Sequence, residues 1–195
     1  MKIIFVFILV MGITYGSNAQ TRLGVKAGYS KVNLNYSGQA INDIGTRSDF
    51  NAGIFVSLPL FDHFYLQPEM MYSGQGSGFT DSIPAQANYN YLNFPFLFKY
   101  QHPSGLFAET GPQIGFQLSA HLKVNGQSVD IQDHTQLLDI SWAFGLGYKI
   151  PVLNLGIDAR YNLGLTNTIN TSYALASGTA KNSVFQIDLF YEFKM

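Results

Sequence analysis

The chain has 195 residues, enough for one domain with a full core, and no stretch reads as a linker between two. Charged residues make up only 12% of it, against about 25% in ordinary soluble domains, while aromatics reach 15%. A net charge of −1 with no long Lys/Arg run excludes a nucleic-acid partner, and the lack of cysteine excludes a disulfide framework and a lipid-modified N-terminal Cys.

The first element reads as an export signal. MKIIFVFILVMGITYGSNAQ opens on Lys2, stays mostly apolar from Ile3 to Ile13 and reaches small residues at Ser17 and Ala19. The apolar run is too short for a spanning helix, which needs about 20 residues. Residues 1–19 are therefore expected to be removed, leaving 20–195 as one domain.

From there the chain alternates with a period of two, the pattern of half-buried strands. In LGVKAGY (23–29), Leu23, Val25, Ala27 and Tyr29 oppose Gly24, Lys26 and Gly28. FNAGIFVSLPL (50–60) and FYLQPEMMY (64–72) split the same way, the latter setting Gln67 and Glu69 on the polar side. LNFPFLFKY (92–100) sets Phe94, Phe96 and Phe98 against Lys99. LFAETGPQIGFQL (106–118), LDISWAFGLGYK (138–149), LNLGIDARYNLG (153–164) and VFQIDLFYEF (184–193) complete a set of eight strands. The connections alternate between long (33–47, 74–88, 120–136, 166–182) and short (61–63, 101–105, 150–152). An even number of strands with short turns at one end predicts an eight-stranded antiparallel up-and-down transmembrane β-barrel, both termini on the periplasmic side.

Alternation does not say which face is wet, and a soluble carrier barrel would turn its apolar face inward. Three features favour lipid outside. The polar face is rich in glycine, which suits a cramped lumen. The apolar face carries almost no charge, and Trp142, Phe94, Phe96 and Phe98 read as too bulky for the bore. Tyrosines at 29, 72, 89, 91, 100, 148, 161 and 191 read as interfacial girdles.

The lumen then receives Lys26, Glu69, Lys99, Glu109, Asp139, Lys149, Asp158, Arg160, Asp188 and Glu192, with Gln67, Gln113 and Gln117. Unpaired buried charge is expensive, so an ion-pair network among Lys26, Glu69, Lys99, Glu109, Asp139, Asp158, Arg160 and Asp188 is expected to plug the bore. Pro95 cannot donate a ladder bond and a closed barrel has no free edge, which predicts a bulge or rim position there; Pro59, Pro68 and Pro112 raise the same question.

YLNFPFLFKY, GLFAETGPQIGFQLSA, LDISWAFGLGYKI and DARYNLGLTN together resemble the outer-membrane β-barrel domain family of Bacteroidetes, described as porin family or PorT-like. The matching pieces are the Tyr-Leu-x-x-Pro run at Tyr91–Pro95, Gly111–Pro112, and the run from Arg160 to Asn167. The resemblance covers essentially the whole chain after the signal. It implies an outer-membrane barrel of about eight strands without a cofactor, and no single function; PorT itself is linked to protein secretion. One departure is that Phe193 is followed by Lys194 and Met195, where such barrels often end in an aromatic residue.

For function, the leading expectation is a non-enzymatic structural or interaction barrel. Its partners would be outer-membrane lipid and envelope or secretion proteins met through the outer loops. A narrow channel for ions or small solutes comes second. A rim hydrolase is third, resting on His121, Ser128, Asp130, Asp133 and His134 in the third long loop; their spacing matches no known motif, and hydrated loop residues are the simpler account. His63 and His102 fall in short turns and read as surface residues, and Gly145–Gly147 reads as lumen packing, since no helix follows it to make a nucleotide loop.

Overall fold

A computed structural model describes residues 21–37, 44–79, 85–124, 127–130, 137–166 and 179–193. The strands are β1 (Arg22–Ser37), β2 (Ile44–Phe61), β3 (Phe64–Phe79), β4 (Ala85–Gln101), β5 (Leu106–Val124), β6 (Gln127–Asp130), β7 (Leu138–Ile150), β8 (Leu155–Gly164) and β9 (Thr179–Phe193). Every neighbouring pair is antiparallel.

The sheet runs β4-β3-β2-β1-β9-β8-β7-β5, and the β4–β5 pairing closes it into a ring of eight. The short β6 lies outside the ring, folding back on the far end of β5 from His121 to Val124. Closure is the condition for crossing a bilayer with strands, because every backbone N–H and C=O then finds a partner and no edge is left. The short turns carry left-handed residues at Asp62, Asn154 and Gly105, residue types that tolerate positive φ.

Side chains alternate between the two faces, most regularly in β8. The outward row includes Val25, Phe50, Phe98, Trp142, Leu146, Ile187 and Leu189, all exposed, whereas the charges of the spanning segments point inward.

Four expectations need correction. The long connections are partly strand: β1, β2, β3, β4 and β5 extend into 33–47, 74–88 and 120–136. Pro95 is neither at a bulge nor at a rim. It is fully buried in mid-strand, and the ladder keeps its register while skipping pairs, between Pro68↔Phe96 and Met71↔Asn93 on the β3 side and between Pro95↔Gln113 and Phe98↔Thr110 on the β5 side. A missing N–H removes a bond without inserting a residue, so the strands stay in step. Pro59 does border a register shift, near the short turn between β2 and β3. Tyr91 is 3% exposed and belongs to the inward face of β4 with Asn93, not to a girdle. Finally, bulk is not excluded from the bore, since Phe55, Phe107 and Phe190 form a buried cluster inside it.

Candidate functional site

The bore is built on a rule of cross-strand complementarity: a large inward side chain faces a glycine in the next strand. Phe55 is the ladder partner of Gly24, Phe107 of Gly147, and Phe190 of Gly156. A Cβ on any of these glycines would meet the facing ring. The charged groups obey it too: Lys26 faces Gly53, Glu109 and Arg160 both face Gly145, and Asp158 faces Gly147. Eight strands enclose a space only wide enough for side chains, and glycine on one wall is what admits arginine or phenylalanine from the other.

At the centre stands Arg160, 1% exposed. Its guanidinium forks onto Glu69, Nη1 donating to Oε2 at 2.7 Å and Nη2 to Oε1 at 2.9 Å. On its other side Nε and Nη2 both donate to Glu109 Oε1, at 3.1 and 2.5 Å. Glu69 also receives Lys26 Nζ at 3.2 Å and Gln67 Nε2 at 2.8 Å. Lys26 reaches Asp158 as well, at 2.8 Å. A planar donor held between two carboxylates, with further donors on one of them, is the arrangement in which buried charges offset their desolvation. It also spans the bore, since Glu69, Glu109 and Arg160 come from β3, β5 and β8.

Toward the short turns lies the aromatic cluster. Phe190 meets Phe55 and Phe107 edge-on, with centroids 5.9 and 5.7 Å apart. Lys99 Nζ sits 3.9 Å from the Phe107 centroid and donates to Gln67 Oε1 at 3.1 Å. This is where the lysine of LNFPFLFKY points: into the bore, over a ring, with its charge partly met by the π face. Below, Lys149 donates to Glu192 at 2.6 Å, and Arg22 approaches the same carboxylate at 3.4 Å. Those three line a vestibule of about 580 Å³ at the turn end, together with Tyr65, His63 and His102.

Of the residues expected to form the network, Lys26, Glu69, Glu109, Asp158 and Arg160 are thus joined by ion pairs. Lys99 engages an amide and a ring. Asp139, nearer the far mouth, accepts a bond from Thr166 Oγ1 at 2.8 Å, and Asp188 faces Gly28 and Asp158 across its two ladders. All eight are buried, as are Lys149, Glu192, Gln67, Gln113 and Gln117. Sequence reasoning passed over the aromatic cluster, although the signal was there: Phe190 lies between Asp188 and Glu192 at the same parity, and Phe107 two residues before Glu109.

Of the rim set, His121 and Asp130 are ladder partners at the β5–β6 tip. Asp133 and His134 lie outside the described residues. Among the described residues there is no group of three or more His, Cys, Asp or Glu able to hold a metal ion.

A closed antiparallel ring, apolar outside and ion-paired within, defines a small transmembrane β-barrel protein of the bacterial outer membrane. A family model described as "Outer membrane protein beta-barrel domain" matches residues 17–170, and the chain belongs to that family. Among solved structures, Neisserial surface protein A (NspA) aligns with a TM-score of 0.55 at 14% identity, covering 91% of this chain and 100% of its own. OprG from Pseudomonas aeruginosa aligns at 0.52 and 13%, covering 91% and 98%. Ail of Yersinia pestis, solved with the heparin analogue sucrose octasulfate, aligns at 0.51 and 16%, covering 89% and 99%. At such identities the likeness is one of fold. No curated protein matches the chain in sequence.

Proposed function

We propose that this barrel is a closed, non-enzymatic module of the outer membrane whose role is structural or interactive, with its outer hairpins as the surface that meets other envelope components. The observation that carries this reading is the Arg160 clamp: a guanidinium bonded to carboxylates from two other strands crosses the bore, and the aromatic cluster lies beneath it. Ions crossing this bore would have to separate buried pairs, which costs several kcal/mol. The resemblance to PorT-like barrels supports a secretion assembly as the setting, and the apolar-start segment 1–19 supports export through a cleaved signal.

Conductance in planar bilayers tests the plug. The native protein is expected to pass no steady ion current, while the triple variant Glu69→Ala, Glu109→Ala, Arg160→Ala, which empties the clamp, conducts. A steady current through the native protein would instead support a narrow channel, the second reading. Cross-linking of the intact protein in its own outer membrane, followed by identification of the captured chains, tests the envelope role: recovery of secretion components supports that setting, and recovery of lipid alone removes it.

A further inference from the structure

Above the clamp the register assembles a second group. Gly28 in β1 is the ladder partner of Asn51 on one side and of Asp188 on the other, and Asp188 is in turn the partner of Asp158. With no side chain at Gly28, the row Asn51, Gly28, Asp188, Asp158 encloses a niche between the asparagine and the aspartates. Asp188 leans into it, its Oδ1 occupying the place a Cβ on Gly28 would need.

All three side chains are cut off from the surface, at 0% exposure for Asn51 and Asp188 and 1% for Asp158. Both carboxylate oxygens of Asp188 and both polar atoms of the Asn51 amide have no hydrogen-bond partner among the described residues. Asp158 has Lys26 at 2.8 Å, but that ammonium is shared with Glu69 at 3.2 Å. Two carboxylates thus divide the charge of Lys26, and the charge of Asp188 is left over.

The tally of the bore agrees. Among the described residues, its buried cations are Lys26, Lys99, Lys149 and Arg160, and its buried anions are Glu69, Glu109, Asp139, Asp158, Asp188 and Glu192, an excess of two carboxylates. Arg22 at the vestibule offsets one of them through Glu192. A carboxylate shut away from water without a hydrogen bond of its own, and acted on only by cations already ion-paired to other carboxylates, is costly, and a bound cation would meet it.

We propose that this niche is a binding site for one alkali cation, sodium or potassium, held by the Asp188 carboxylate and the Asn51 amide oxygen, with Asp158 at its border. The chemistry selects the class. Carboxylate and amide oxygens are hard donors that suit alkali and alkaline-earth ions over soft metals. One positive charge balances the one left uncompensated, and the neighbouring Lys26 ammonium makes a second positive charge on the ion unfavourable. The site lies beside the clamp and ties β2, β1 and β9 together, so its occupancy stabilises the closed barrel. It does not depend on the envelope role proposed above.

The test uses the full barrel folded in detergent micelles, its unfolding in urea followed by the gel shift between folded and unfolded forms. Sodium, potassium, calcium or N-methylglucamine chloride is supplied at matched ionic strength. Sodium or potassium is expected to stabilise saturably over N-methylglucamine, changing the unfolding constant about tenfold at a concentration ten times the dissociation constant. Asp188→Asn, which keeps shape and removes the charge, abolishes that dependence while the protein still folds. Asn51→Asp adds a carboxylate and brings saturation to lower concentration. Equal unfolding midpoints in all four salts would overturn the site, as would stabilisation by calcium alone. So would an alkali dependence undiminished in Asp188→Asn, or a response to pH that ignores which cation is present.

Discussion

Phe55 and Gly24 stand directly opposite each other in the β1–β2 ladder, and the phenyl ring fills the space that a side chain at position 24 would need. The pairing makes lumen glycine and lumen aromatic one structural unit. Gly24→Ala is expected to destabilise by about 1–3 kcal/mol through overpacking. The contact is with ring atoms and not with backbone, so Phe55→Ala relieves it. The double variant is then more stable than the sum of the two single losses predicts, a coupling that urea unfolding of all four proteins in lipid vesicles measures directly.

Arg160 bonds two carboxylates at once, so its loss strands Glu109 and leaves Glu69 with Lys26 and Gln67 alone. Arg160→Met is expected to cost about 3–5 kcal/mol, the penalty for breaking a buried pair from one side. Adding Glu69→Gln and Glu109→Gln to Arg160→Met removes the stranded charges and recovers most of the loss. Lys99→Met, at a site where the ammonium meets a ring and an amide, is expected to cost only about 1 kcal/mol. Equal losses for Arg160→Met and Lys99→Met in chemical denaturation would refute the clamp as the main polar support.

The orientation of the wall is open to test at Ile187, an outward residue of β9 flanked by inward Gln186 and Asp188. Ile187→Arg places a charge against acyl chains and is expected to cost about 2–4 kcal/mol at mid-membrane depth. Lys181→Glu, at an exposed position near the start of the same strand, is expected to change stability by less than about 0.5 kcal/mol. Folding yield in vesicles and the urea midpoint report both. A neutral Ile187→Arg would mean that this face meets water.

Trp142 is the sole tryptophan and faces outward from β7, its Nε1 donating to Thr110 Oγ1 at 2.9 Å. In vesicles its fluorescence is expected to be quenched by brominated acyl chains and spared by aqueous iodide. Thr110→Val removes the acceptor and leaves an indole N–H without a partner in an apolar setting. The expected cost is about 1–3 kcal/mol, with a shift in emission wavelength.

Much of this molecule can be read from period alone. Strands such as LDISWAFGLGYK and LGIDARYNLG announce two faces, and parity is enough to send Lys99, Glu109, Arg160 and Asp188 to one side together. Parity outranks residue type: Tyr91 has the strand-former chemistry of a girdle but the parity of Asn93 and Lys99, and so turns inward. Phe55, Phe107 and Phe190 likewise share the parity of the polar face, which sends them inward. Pro95 is a different case: whether a missing N–H demands a bulge depends on the neighbouring ladders, which local sequence does not contain.

Alternation and loop length were by themselves sufficient for the ring of eight strands and for the charged groups of its interior, because a period of two is a property of each segment alone. What the tertiary structure decided was who meets whom. Register is set jointly by all the strands as the ring closes, and only that closure brings Arg160 of β8 between Glu69 of β3 and Glu109 of β5, lays each phenylalanine over its glycine, and leaves Asp188 beside Asn51 across the gap at Gly28.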